Sequence, residues 1–423
     1  MKLSQSVKCL HTSQGFRSGK LSGEEFVSKL LDRRWTLQNP ETKIHQIMVS
    51  DNKTRHGSGL LGDVSFSNNI CPSLGDRLME DNNQTPSFYV VRDDLLHPLV
   101  NGNKARKLDA LFPLLEDHLV TDVVTCGGCQ SAHAAAVAVS CAERGLKCHL
   151  LLRGEQLDIS TGYNLISTMY GDVTYVPRSL YAKREEMLKL HADKVAETCG
   201  SVVCLSNILE SCAAAEMSGK MSSMEVASYA NSKRLPRKVA ILNEGMIRLV
   251  KHLSQTHLLG KKTPLKIVVD CGTGTTAVGL GLGAMCLGLP WEIIAVMLAG
   301  SIDGYRMQER RLMNEIIKCS SCHLIDQVLN RVEGGVVQWV ERNCPRKFGN
   351  ILKGEVEACQ QIARQTGILV DPVYTLAAWE FATLISKNED KGGTKVVMLH
   401  TGGTLGMFGL AQRYKSFFHG LTQ

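Results

Sequence analysis

The sequence predicts an α/β protein with mostly parallel sheets, arranged as two αβα domains. Three observations carry this. From Ser87 onward, short β-branched runs alternate with helical patterns. The runs DVVTC, CHLLL, KIVVD, IIAVML and KVVML are almost continuously apolar, as strands covered on both faces are. The chain has 423 residues and is 44% hydrophobic, more than one small core uses.

Taken in order, residues 1–85 have weak periodicity. PSFYVVRDD reads as a strand, and Lys104 to Val120 as an amphipathic helix. DVVTC is a strand, followed by an Ala-rich helix from Ser131 to Arg144 that stops at Gly145. CHLLL, a helical NLISTMYG, DVTYVP and a charged helix Ala182–Thr198 follow. Residues 215–237 are polar and irregular, as a domain connection is. KIVVD, a Gly/Thr loop, a Gly/Ala-rich helix, IIAVML and KVVML complete the pattern. The expected division is a leader or disordered segment over 1–50, a large domain of 51–114 plus 236–423, and a small domain of 115–235.

Charge is uneven. Residues 1–50 hold eight Lys/Arg and four Asp/Glu, so +4 of the net +7 lies there and +3 in the rest. A nearly neutral body without basic stripes gives no case for nucleic acid. The first 23 residues contain Lys2, Lys8, Arg17, Lys20, five serines and one threonine, and no acidic residue. That fits an organellar transit peptide, mitochondrial ahead of plastid, with a cytoplasmic chain carrying a disordered start as the alternative. No stretch of 18 residues is free of polar breaks, so no membrane span is expected. The 15 cysteines are scattered through apolar runs, as buried thiols in a reducing compartment are.

Three glycine-rich turns join a strand to a helix, where ligands of open α/β sheets bind. In IVVDCGTGTTAVG, Thr273, Gly274, Thr275 and Thr276 open a small-residue helix. Free amides and hydroxyls at a helix start cradle a phosphate without a cation. The turn is neither a dinucleotide fingerprint nor a Walker loop. In VVTCGGCQSAHAAAV, Gly127 and Gly128 precede a helix that begins near Ser131, suited to a carboxylate or phosphate. Cys126 and Cys129 flank the glycines in C-x-x-C spacing. A redox pair or metal site stays a rival reading, although the glycines are better explained by ligand approach and a structural zinc needs four ligands. KCSSCH, from Cys319 to His323, matches a haem-attachment pattern inside an α/β body where haem is not expected. In NGNKARKLD, Lys104 stands at a helix start, where the dipole repels a cation. A covalent link to an anionic cofactor explains it. A surface cluster with Arg106 and Lys107 is the alternative.

The order of NGNKARKLD, the Gly-Gly-x-Gln-Ser turn, Gly-Thr-Gly-Thr-Thr, DPVY and a terminal Gly-Gly turn resembles one family over residues 86–415. It is the pyridoxal-phosphate group of D-cysteine desulfhydrase and 1-aminocyclopropane-1-carboxylate deaminase. The resemblance implies a tryptophan-synthase-β-like (fold type II) architecture, pyridoxal 5'-phosphate as cofactor, a small amino-acid substrate and a homodimer. It places the Schiff base on Lys104 and the phosphate on Thr273, Gly274, Thr275 and Thr276, with Lys107 also at the cofactor. Ser131 and His133 would meet the substrate, and Ser131 and Tyr374 would act in catalysis. Deaminases of this group carry Glu and Leu where this chain has Thr375 and Thr401. The threonines match the desulfhydrases and imply β-elimination of D-cysteine to sulfide, pyruvate and ammonia. They also imply a cofactor ring nitrogen without a carboxylate partner. The deaminase reaction, and cofactor binding with little turnover, are the alternatives. No metal is expected. The chain departs from the family pattern at Ala132 (Asn in the family), at Phe348 (Tyr), and at Asn243-Glu244-Gly245, read as a compressed loop.

Overall fold

The computed structural model describes residues 22–51, 61, 63–75, 85–100, 102–197, 201–205, 238–320, 335–388 and 394–422. Residues 1–21, the 215–237 connection, and Cys322 and His323 of the haem-like motif lie outside the described residues.

Two sheets organise the chain. The strands are β1 (Ile44–Asp51), β2 (Val64–Asn69), β3 (Ser87–Val91), β4 (Asp122–Gly128), β5 (Lys147–Arg153), β6 (Asp172–Val176), β7 (Val202–Leu205), β8 (Leu265–Cys271), β9 (Trp291–Met297), β10 (Gln338–Glu341) and β11 (Lys395–Leu399). The smaller sheet has the order β6-β5-β4-β7 and is parallel throughout. The larger has the order β10-β9-β8-β11-β3-β1-β2. It is parallel from β10 to β3, and β1 joins β3 and β2 antiparallel. The predicted strands are therefore present. The antiparallel edge fell in the stretch of weak periodicity.

The strand interiors bear out the apolar runs. Val268, Val269, Val397 and Met398 are fully buried. Apolar helices cover both faces of the large sheet. On one side, Thr275–Cys286 and Lys238–Leu253 pack against Ile267, Val269 and Leu399. On the other, Thr375–Asn388 brings Trp379 against Phe66 and Phe88, edge to face at 5.4 and 5.1 Å.

The structure corrects three expectations. The segment 1–50 is not all leader. Helix Gly23–Leu31 begins with a reciprocal Ser22–Glu25 capping box and buries Phe26 and Val27 in the large core. β1 runs inside the large sheet, with Ile47 and Val49 buried. Two of the basic residues counted in 1–50 make ion pairs with the body: Arg33 pairs with Glu244, and Arg34 with Asp117.

The helix expected over Lys104–Val120 is two helices, Asn103–Asp109 and Leu111–Asp117. Pro113 has no N–H to give the Asp109 carbonyl, which accepts from the Thr36 amide at 2.9 Å instead.

Asn243-Glu244-Gly245 is not a compressed loop, because it lies inside helix Lys238–Leu253. A Cβ on Gly245 would come within 1.9 Å of the Arg106 carbonyl oxygen. That glycine lets this helix press against the short helix that carries Lys104.

Candidate active site

A cavity of about 230 Å³ opens beyond the carboxyl ends of β4, β8 and β11. Each of its walls is the start of a helix or a turn.

The first wall carries Lys104 and Lys107, one turn apart on the helix Asn103–Asp109. Gly102 precedes it with φ +66, and a Cβ there would lie 1.8 Å from the Thr401 oxygen. Only glycine lets the lysine turn sit against the terminal turn. The Asn103 amide donates to the Thr401 carbonyl at 3.2 Å. Lys104 Nζ donates to Asn103 Oδ1 at 3.1 Å, and Asn103 Nδ2 donates to Thr276 Oγ1 at 3.1 Å. Burial lowers the basicity of Lys104, with Asp270 opposing. Burial, helped by the charge of Lys104, brings Lys107 to about 7. Burial thus draws the Lys104 amine toward its neutral, nucleophilic form.

The second wall is the Gly/Thr turn between β8 and the helix Thr275–Cys286. Asp270, Cys271, Gly272, Thr273, Gly274 and Thr276 line the cavity. The Tyr305 hydroxyl lies 2.8 Å from the Cys271 carbonyl and 2.9 Å from that of Gly272, which fixes the turn. Gly274 is left-handed, with φ +85. The first helical amides have no partners within the helix. Together with Lys107 they suit a phosphate.

The third wall is the start of the helix Ala132–Ala142. Ser131 Oγ caps it, accepting from the Ala134 amide at 3.2 Å. Ala132 and His133 line the cavity beside it, and His133 Nε2 lies 3.1 Å from Thr125 Oγ1. Cys126 and Cys129 do not line the cavity. Cys126 is buried, and Cys129 Sγ donates to the Arg153 carbonyl at 3.2 Å. No disulfide joins them, and among the described residues no group of three His, Cys, Asp or Glu is placed to hold a metal.

Tyr374, Phe348, Asp371 and Thr401 close the remaining side. Phe348 meets Tyr374 edge to face at 5.6 Å. Burial, then the charge of Asp371, raises the Tyr374 phenol far above its ordinary range.

Of the residues singled out in the sequence, Lys104, Lys107, Ser131, His133, Thr273, Gly274, Thr276, Tyr374 and Thr401 meet at this cavity. Thr275 and Thr375 stand behind its wall. The hydroxyl of Thr275 lies 3.3 Å from that of Thr273, and that of Thr375 donates to Asp371 Oδ2 at 2.9 Å. Asn103, Asp270 and Asp371 were missed. The signal for Asp270 was present: an acid ends the apolar run IVVD, directly before a glycine turn.

A lysine at a helix start, facing a Gly/Thr turn across the cavity, suits an enzyme that works through a phosphorylated cofactor. The family model "Pyridoxal-phosphate dependent enzyme" matches residues 76–402. The chain belongs to that family and is a pyridoxal-phosphate-dependent enzyme. It is 48% identical, over 94% of its length and 96% of the relative, to a protein of Oryza sativa subsp. japonica provisionally named D-cysteine desulfhydrase 2, mitochondrial. It is 25% identical, over 76% of its length and 73% of the relative, to the bifunctional D-cysteine desulfhydrase/1-aminocyclopropane-1-carboxylate deaminase, mitochondrial, of Arabidopsis thaliana. The solved structure of an ACC deaminase homologue superposes with a TM-score of 0.65 at 19% identity, covering 92% of this chain and 98% of that one. That likeness supports the type II fold.

Proposed function

We propose that the chain is a carbon–sulfur lyase that eliminates sulfide from D-cysteine, leaving pyruvate and ammonia. The observation that carries this reading is the Lys104 amine, low in basicity and fixed by Asn103 within the cavity that also holds the Tyr374 phenol. The two plant relatives bear desulfhydrase names.

Pyridoxal phosphate, when bound, withdraws electrons from the substrate α-carbon, so that its proton and a β-substituent become easier to lose. The residues do the rest. Thr273, Gly274, Thr275, Thr276 and Lys107 would hold the phosphate. Lys104 would hold the cofactor, and its Nζ, fixed by Asn103 at the cavity, would take the α-proton. Ser131 and His133, at a helix N-terminus, orient the substrate carboxylate. Tyr374, kept as a neutral phenol by burial, would offer a hydrogen bond to the sulfur, which leaves as hydrosulfide.

Deamination of the cyclopropane acid is a second reading, favoured by the double name of the Arabidopsis relative. Ala132 and Phe348, both at the cavity, favour a third: binding with little turnover. Purified protein with added cofactor is assayed for sulfide from D- and L-cysteine and for ammonia from the cyclopropane acid. Sulfide from the D-isomer alone supports the first reading. Lys104→Ala should abolish the yellow absorbance and the activity, and turnover by that variant sinks the assignment.

A homodimer, a mitochondrial location and the domain division belong to the same proposal. The division of 115–235 from the rest is supported by the separate β6-β5-β4-β7 sheet, and the large domain then includes residues 22–51 as well as 51–114 and 236–423.

A further inference from the structure

Two carboxylates line the cavity, and their surroundings differ. Asp371 is saturated with donors. Its Oδ1 accepts from the amides of Val373 and Tyr374, both at 2.9 Å, and its Oδ2 from the amide of Thr375 at 3.2 Å and its hydroxyl at 2.9 Å. Asp270 is only 4% exposed, and among the described residues one other side chain donates to its carboxylate, the Thr401 hydroxyl to Oδ1. A buried carboxylate with one such donor is expensive to maintain unless a ligand supplies another partner.

Its place says which ligand atom that is. β8 and β11 are parallel neighbours with Val268 opposite Met398, so their ends bring Asp270 and Thr401 together on the cavity floor. Asp270 stands two residues before Gly272 of the cradle, with Lys104 close enough for their charges to act on each other. Pyridoxal phosphate is anchored at two adjacent ring carbons, one bearing the imine and one the phosphate arm. Lys104 and the cradle take these two. The ring nitrogen lies across the ring from the carbon that bears the imine and still needs a partner.

We propose that Asp270, oriented by Thr401, is the carboxylate that faces the cofactor's ring nitrogen and keeps it protonated. This revises the implication of Thr375 and Thr401 that the ring has no acidic partner. The threonine hydroxyls are committed to Asp270 and Asp371, and Asp270 takes the part that a glutamate takes in the deaminases, from the end of β8 and not from the helix start at Thr375. Burial raises the Asp270 carboxyl to about 7 in the apoprotein, and a positively charged ring nitrogen opposite it is the partner that returns it to the ionised form. A protonated ring is the stronger electron sink, so this chain is equipped to stabilise charge on the substrate α-carbon even when no β-substituent departs.

The inference rests on cofactor binding and not on the choice of substrate. The test uses full-length holoenzyme reconstituted with pyridoxal phosphate carrying the heavy nitrogen isotope in its ring, read by nitrogen NMR near neutral pH without substrate. The wild type should show a pyridinium resonance, Asp270→Glu should keep it, and Asp270→Asn should lower the protonated fraction by about tenfold, one pKa unit. A neutral pyridine in the wild type overturns the proposal, as does a pyridinium in Asp270→Asn. If Asp270→Asn holds no cofactor, Asp270→Ser is read in its place, and the wild-type resonance decides by itself if neither variant binds. A pyridinium in an enzyme that releases no sulfide from D-cysteine leaves this inference standing and sinks the functional reading above.

Discussion

Asn103 Nδ2 donates to Thr276 Oγ1 at 3.1 Å, while Asn103 Oδ1 accepts from Lys104 Nζ at 3.1 Å. One buried amide thus ties Lys104 to the Gly/Thr turn, so the spacing of the two proposed cofactor contacts is set before any ligand arrives. Asn103→Ala removes both bonds. Each is worth about 0.5–1.5 kcal/mol, so cofactor affinity should fall by roughly tenfold or more while the fold persists. Titration of apoprotein with pyridoxal phosphate, followed by absorbance, measures it.

Gly245 allows a helix to contact the backbone of Arg106, two residues from Lys104. Gly245→Ala forces the two helices apart by the width of a methyl group. Overpacking of this kind costs about 1–3 kcal/mol. The melting temperature should drop, and the displaced Lys104 should lower kcat more than it raises KM. Thermal melts and steady-state kinetics on one preparation check both.

Ala132 lines the cavity at the first helical position after Ser131. The family resemblance puts an asparagine there. Ala132→Asn should add a hydrogen bond to the cofactor, worth about 1 kcal/mol, and so tighten binding roughly fivefold. Unchanged affinity would mean that this turn does not touch the cofactor.

The pH dependence of apoprotein stability follows from the cavity's own charges. Asp270, faced by Lys104, Asp371 and Thr401, titrates near 7 when folded instead of 3.8. Between those values the folded chain holds a proton that the unfolded chain lacks, so this group makes stability fall as pH rises. Lys107, faced by Lys104, Cys271 and Asp270, titrates near 7 instead of 10.5. Above 7 the unfolded chain binds the extra proton, so stability recovers as pH rises toward 10.5. Urea titrations of the apoprotein should show a minimum near neutrality. Asp270→Asn should remove the decline on the acid side, about 1–2 kcal/mol once cavity water screens the group, and Lys107→Met the recovery on the alkaline side.

Much of the architecture was legible because parallel strands covered on both faces must be apolar throughout, and the runs around Val268, Leu150 and Val397 have no other reading. The cofactor turns were legible for a related reason. Glycines and small hydroxyls at strand ends, and a lysine at a helix start, make poor sense without an anion. Sequence alone therefore determined the fold class and the cofactor, and it pointed to the residues proposed to hold it. It did not reveal the sheet's antiparallel edge, since β1 and β2 lie in the stretch of weak periodicity before Ser87. Nor could it separate Thr401, which lines the cavity, from Thr375, which stands behind Asp371. Only the tertiary structure decided that Asp270 meets Thr401, 131 positions away, because that contact depends on β8 and β11 lying side by side. Local sequence encodes which residues are apolar and where helices begin. Which strand ends become neighbours is decided by burying both faces of a seven-stranded sheet at once.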